Sequence, residues 1–204
     1  MIMELLVATK NKKKLKEIKE ILRDLNLKIT SLADLSSSPR IVENKKTFKE
    51  NAIKKAVRIS KVTASLVLGE DSGLCVDALG GRPGVYSARF GGKDKNDEKN
   101  NKKLLKELEG LSLSKRRAHY VCAVAIADKG RLIDVAEGKC DGLIGFKTKG
   151  HFGFGYDPLF IIPGFKKTFA QLGPSVKHSM SHRSRALVKS KKIIQKYIEK
   201  NKGS

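Results

Sequence analysis

Cysteine is scarce in this chain and badly placed for a scaffold. The 204 residues hold three, Cys75, Cys122 and Cys140, odd in number, widely spaced and without a CxxC pair. That argues against a disulfide framework or a zinc site and fits a reducing, cytoplasmic compartment. No apolar run approaches the ~18 residues that a membrane span needs. The opening MIMELLVATKNKKK sets its apolar residues before its lysines, the reverse of a secretory leader. The expectation is an intracellular protein with no membrane partner. Acidic side chains are also short: 21 Asp and Glu face 43 Lys and Arg, a net charge of +22. Such a charge draws polyanions in general. Aromatics reach only 6%, few to stack on bases beside the lysines, so no specific nucleic acid is expected. A phosphate-rich small ligand would benefit from the same field.

What is present suits a globular chain: 40% hydrophobic and 31% charged residues, enough length for a core without staples. Repeats, low-complexity tracts and linkers long enough to part domains are all missing, so residues 1–204 read as a single domain. Glu4–Ala8 and Leu27–Leu32 read as strands around a helix marked by Leu15, Ile18, Ile21, Leu22 and Leu25. After a loop with Ser36, Ser37, Ser38 and Pro39, a helix from about Thr47 to Thr63 carries Phe48, Ala52, Ala56 and Ile59 on one side. Ser65–Gly69 reads as a buried strand ending at Glu70-Asp71-Ser72-Gly73, and Leu79–Gly84 as a turn-rich loop. Asn96–Leu108 is an amphipathic helix. Tyr120–Ala127 and Leu132–Gly138 form a hairpin, Gly150–Gly155 a glycine loop, Leu159–Ile162 a short strand and Ser181–Lys200 a basic helix with Leu187, Ile194 and Ile198 inward. No element is assigned between Ile162 and Ser181. Irregular mixing of strands and helices points to a mixed α/β fold.

Four polar clusters interrupt these elements. Thr9-Lys10-Asn11-Lys12-Lys13-Lys14 joins a strand to a helix. It reads either as an Asn cap before a solvated lysine run or as a phosphate cradle of backbone N–H groups and lysines. It is not a Walker loop, since GxxxxGK[ST] is absent. Glu70-Asp71-Ser72 places two carboxylates at a strand end, where desolvation demands a cation or donors. On a persisting strand the two acids would diverge, and magnesium is satisfied by one or two carboxylates plus phosphate oxygens. Alternatively Asp71 sits in a turn and caps the backbone near Gly73. Phe152–Pro158 mixes glycines with aromatics, either a pocket for a flat ligand or a turn anchored in the core. Lys177-His178-Ser179-Met180-Ser181-His182-Arg183 sets cations at a helix start, against the dipole. Ser181 reads as its cap, and Lys177 and Arg183 as donors for a carbonyl or phosphate.

Taken in order, ATKNKKKLKEI, TFKENAIKKA, EDSGLCVDALGGRPGVYSARF, GFGYDPLF and SMSHRSRAL, spread from Val7 to Leu187, resemble the inosine triphosphate pyrophosphatase family, also called the dITP/XTP pyrophosphatases. The resemblance implies an elongated, twisted mixed sheet with flanking helices, two lobes around a central cleft, and a homodimer. It implies Mg²⁺-dependent cleavage of ITP, dITP and XTP to the monophosphate and pyrophosphate. It assigns Asp71 as catalytic acid and metal ligand, Glu43 as its metal partner, and the Thr9–Lys14 loop (Thr9, Lys10, Asn11, Lys12, Lys13, Lys14) with Ser72 as triphosphate contacts. Phe154, Gly155, Tyr156, Asp157, Lys177, His182 and Arg183 match its base-recognition residues, with Arg183 facing the purine O6. Three positions depart from the common pattern: Lys10 replaces a frequent Gly, Glu70 the first Asp of DDSG, and His178 an Asn. The remaining alternatives are a pyrophosphatase for other modified nucleotides, or a basic nucleic-acid binder using Arg183–Lys202.

Overall fold

The computed structural model of this protein describes residues 3–37, 39 and 41–201. Ser38 of the serine-proline loop and Lys202 at the end of the basic stretch lie outside them. Among the described residues seven strands form one sheet in the order β2-β1-β3-β4-β5-β6-β7. They are β1 (Met3–Val7), β2 (Leu27–Ser31), β3 (Leu66–Val76), β4 (Arg117–Asp128), β5 (Arg131–Ile144), β6 (Phe160–Ile162) and β7 (Lys167–Thr168). The helices are α1 (Lys12–Ile21), α2 (Phe48–Thr63), α3 (Asp97–Glu107), α4 (Phe169–Met180) and α5 (His182–Asn201). β1 lies parallel to both β2 and β3, pairing Met3 with Leu27 and Leu6 with Val67. β6 runs antiparallel to β5 and to β7. The sheet is therefore mixed, as expected; α1 and α2 supply the crossovers that parallel neighbours require.

The chain forms two compact units. The first comprises residues up to Asp71, Cys122–Gly138 and the stretch from Arg183 onward; the second comprises Ser72–Val121 and Lys139–His182. The first unit packs Leu5, Val7, Ile18, Leu22, Leu66, Leu68, Val124, Leu187 and Ile194 into one core. The second packs Leu74, Leu104, Leu108, Tyr120, Ile144, Phe160 and Phe169, with the Tyr120 and Phe160 rings 4.6 Å apart. No described helix is long and apolar enough to cross a membrane.

Capping explains where the helices start. Asn11 accepts from the N–H groups of Lys13 and Lys14 at α1, and Thr47 and Glu50 cap one another's backbone at α2. Thr168 and Gln171 repeat that capping box at α4, a helix the sequence reading left unassigned. Gly173, at φ 80°, and Pro174 kink α4, which hides its periodicity.

Strand ends need correcting: those read as Tyr120–Ala127 and Leu132–Gly138 span Arg117–Asp128 and Arg131–Ile144, and one further end bears on the site. The strand read as ending at Gly69 runs on to Val76, so Glu70, Asp71 and Ser72 lie inside β3 and not at its end or in a turn. The sheet ladder keeps the backbone satisfied, and cations from the helices compensate the carboxylates. Nothing forces the strand to stop.

Candidate active site

In the first unit, β3 splits its two adjacent acids. Val67, Gly69 and Asp71 alternate onto the side of α2, whereas Leu66, Leu68 and Glu70 face α1 and α5. Each acid consequently has its own partners.

On the α2 side, Lys55 is 5% exposed and Asp71 6%. The Lys55 ammonium lies 2.6 Å from Glu43 Oε1 and 3.7 Å from Asp71 Oδ1. Glu43 comes from the segment before α2 and stays partly open to solvent. Burial pushes the Asp71 carboxyl above its ordinary range, Lys55 pulls it back, and the Glu43 charge pushes it up again. For Lys55, burial favours the neutral amine, but Asp71 and Glu43 outweigh it and the ammonium is held more firmly than usual. The two predicted metal ligands thus meet on one cation. A pair of hard oxygen donors, one buried and one open, suits a magnesium ion that completes its shell with phosphate and water.

Close packing of α2 on β3 sets this geometry. A Cβ on Gly69 would lie 2.5 Å from the Ala52 carbonyl oxygen and 2.7 Å from the Ala56 nitrogen. Gly69→Ala must lift α2, and Lys55 with it, off the strand. The expected cost is about 1–3 kcal/mol, read as a lower urea midpoint; an unchanged midpoint would show that the helix–strand contact is looser.

On the other side, Glu70 is enclosed by cations. Lys14 Nζ lies 3.0 Å from its Oε2, and Arg183 Nη2 donates to its Oε1 at 3.2 Å. The Cys122 thiol also donates to that oxygen at 3.4 Å. Arg183, 2% exposed, donates from Nη1 to Glu17 Oε2 of α1. Burial opposes its charge, yet Glu70 and Glu17 win and raise its pKa.

The lysine loop divides. Lys14 joins this cluster, while Lys10, Asn11, Lys12 and Lys13 are exposed. Asn11 caps α1 through its side chain, and Thr9 Oγ1 accepts from the Asn11 N–H at 3.1 Å. The capping reading is met. It also leaves the N-terminal end of α1 ringed with lysines, the arrangement a phosphate favours.

In the second unit, Asp157 organises the glycine loop. Its Oδ2 accepts from the Phe154 N–H at 2.9 Å and from Lys177 Nζ at 2.8 Å. Lys177 also sits 4.6 Å from the centre of the Phe154 ring. Gly153 has φ +81°, and a Cβ there would lie 2.1 Å from Asp157 Oδ2, so both backbone and space require glycine. The Gly155 N–H donates to Asp97 Oδ2, and the Gly155 carbonyl accepts from Asn101. Tyr156 is buried in the core and its hydroxyl donates to the Ser87 carbonyl oxygen at 2.8 Å. Burial, then Asp97, raise its pKa. His182 is buried with its ring stacked on Tyr120 at 4.5 Å and 10°. Ser72, half-buried, follows Asp71 on β3.

The predicted residues therefore fall into two groups. Glu43, Asp71, Lys14 and Arg183 gather in the first unit; Phe154, Gly155, Asp157 and Lys177 gather in the second. Several expected ligand contacts are engaged by protein: Tyr156 is a post for the loop, Arg183 is held by two carboxylates, Lys177 is paired with Asp157 and Lys14 with Glu70. The sequence reading missed Lys55, Glu17, Asp97, Asn101 and Tyr120.

A sequence profile of the Ham1 family matches residues 5–193. A dITP/XTP pyrophosphatase of Desulforamulus reducens is 46% identical over 194 residues, 95% of this chain and 96% of that protein. One from Clostridium perfringens is 49% identical over 193 residues, 91% of this chain and 94% of its own. Among solved structures, a HAM1 protein from Coxiella burnetii has a TM-score of 0.86 at 36% identity, covering 95% of this chain and 99% of that one. The Ham1 protein of Staphylococcus aureus gives 0.83 at 36%, over 96% and 98%. With its sequence, its mixed sheet and its motifs all matched over nearly their full length, the chain belongs to the Ham1 family.

Proposed function

We propose that this protein hydrolyses non-standard purine nucleoside triphosphates, ITP, dITP and XTP, to the monophosphate and pyrophosphate. The observation that carries the reading is the convergence of Glu43 and Asp71 on Lys55. The names of the relatives, dITP/XTP pyrophosphatase, supply the substrate class.

Glu43 and Asp71 would hold Mg²⁺, which when bound supplies Lewis-acid charge against the phosphate oxygens. Asp71 accepts the proton of the attacking water. The water oxygen bonds to the α-phosphorus, the α–β bridge breaks, and pyrophosphate leaves. Lys14 and the exposed Lys10, Lys12 and Lys13, with the α1 backbone N–H groups, bind the departing charge.

Base selection belongs to the second-unit group. Phe154 offers a flat face, and Lys177 and His182 offer donors. Inosine and xanthine accept at O6, whereas adenine presents an amino group; a donor left facing that group costs up to about 10⁴-fold in kcat/KM. Arg183 joins this chemistry only by exchanging a carboxylate for the ligand, and Glu17 and Glu70 set the cost of that exchange. A homodimer, on family resemblance, and a cytoplasmic location, on the sparse and scattered cysteines, complete the reading.

Pyrophosphate release from ITP, XTP, GTP and ATP, with and without Mg²⁺, is the test. ITP and XTP should turn over, ATP about 10³–10⁴-fold more slowly, and chelation should stop the reaction. Equal cleavage of ATP and ITP would end this account of selectivity.

A further inference from the structure

Arg116, between α3 and β4 in the second unit, is 3% exposed. The other buried cations described above are matched: Lys55 by Glu43 and Asp71, Lys177 by Asp157, Arg183 by Glu17 and Glu70. For Arg116, no carboxylate among the described residues lies within ion-pairing distance, and its Nε is buried with no hydrogen-bond partner. Burial pushes its pKa down with no neighbouring charge to oppose it. A guanidinium held largely inside a fold without a counter-charge is unfavourable.

A cavity of about 600 Å³ adjoins it, lined by Arg116, Lys106, Glu109, Leu111 and Phe146 among others. The guanidinium carbon lies 4.6 Å from the centre of the Phe146 ring, which is itself 60% exposed. Stacking occupies the face of the guanidinium and leaves its N–H fork for acceptors in the plane, the geometry that matches a carboxylate or phosphate. Lys106 and Arg116 against Glu109 leave the lining with one positive charge in excess. The volume falls within the range of small-molecule pockets. None of the residues assigned above to metal, phosphate or base lines this cavity.

We propose that Arg116 anchors an oxyanion-binding subsite in this cavity, taking a small phosphate- or carboxylate-bearing molecule whose apolar part packs on Phe146 and Leu111. The bound oxyanion supplies the counter-charge that the fold withholds. This subsite is independent of the hydrolytic reading and stands or falls separately.

The test is amide NMR on the whole chain, titrated with inorganic phosphate and, in a second arm, with citrate, at ionic strength held constant with chloride. Saturable shifts at Leu111, Phe146 and their neighbours are expected; shifts at Thr9–Lys14 report the phosphate loop and are scored apart. A response in both arms supports a general oxyanion site, and a response in one assigns the phosphate or the carboxylate class. Arg116→Met should weaken the Phe146-side response about 10-fold or more without loss of fold, because an apolar isostere relieves a buried unpaired charge. Arg116→Lys keeps the charge without the fork and should fall between. Three results would overturn the proposal. They are no saturable shift at Phe146 in either arm, equal binding by wild type and both variants, or shifts that follow protein concentration with no anion added, which would mean that a second copy's carboxylate fills the cavity.

Discussion

Asp71→Asn is expected to lower kcat for ITP by about 10³-fold or more while the protein remains folded. The amide keeps the size of the carboxylate but cannot take the proton of the attacking water, and it is a poor magnesium ligand. The fold should tolerate it for two reasons. Lys55 retains Glu43 at 2.6 Å and is not left as a lone buried charge. The Asp71 carboxyl has its pKa raised by burial, so the native state holds that proton more tightly than the unfolded chain. Stability from this group therefore falls as pH rises through the unfolded pKa towards the folded one, and an uncharged amide removes that penalty. At neutral pH the variant should melt at or slightly above the wild-type temperature. Pyrophosphate release under single-turnover conditions, beside a thermal melt, checks both halves. Near-normal turnover in a folded variant would remove Asp71 from the chemistry.

The site was legible in the sequence where residue order carried it and obscure where a helix face carried it. Asp71 and Glu43 stand out through motif resemblance; nothing local singles out Glu43. Lys55 was missed because it follows Lys54 in a lysine-rich helix. The two diverge completely: Lys54 bonds the Val42 carbonyl and Asn44 at the surface, whereas Lys55 is buried. Spacing separates them. Lys55 lies seven residues after Phe48 and three after Ala52, on the apolar stripe of α2. Glu17 likewise occupies the buried face of α1 beside Ile18. A charge standing on an apolar helical stripe was the available signal for both, and each proves to be half of a buried ion pair. The alternation of Glu70 and Asp71 onto opposite faces was foreseen from strand geometry; the persistence of the strand through them was not, since only the surrounding cations make it affordable. The role of Tyr156 was likewise hidden, because its hydroxyl partner, the Ser87 carbonyl, lies 69 residues away in the chain.

Arg183→Met is expected to lower stability by about 3–5 kcal/mol, a fall in melting temperature of roughly 10 °C for a chain of this size. Methionine fills the space but leaves Glu17 and Glu70 buried with a lost counter-charge. Glu70 keeps Lys14 at 3.0 Å. A double-mutant cycle separates the pair from the packing. Adding Glu17→Gln to Arg183→Met should restore part of the lost stability, with a coupling of about 1–3 kcal/mol, because the amide no longer needs the guanidinium. Arg183→Lys should be intermediate, since one ammonium cannot bridge two carboxylates as a planar fork does. The same substitutions separate structure from selectivity. If Arg183 serves the base only after releasing a carboxylate, Glu17→Gln alone should loosen it and change the ITP-to-ATP ratio more than kcat for ITP. Should Arg183→Met melt within about a degree of the wild type, the guanidinium is not the clamp between α1 and β3, and the persistence of β3 through its two acids would rest on Lys14 and Lys55 instead.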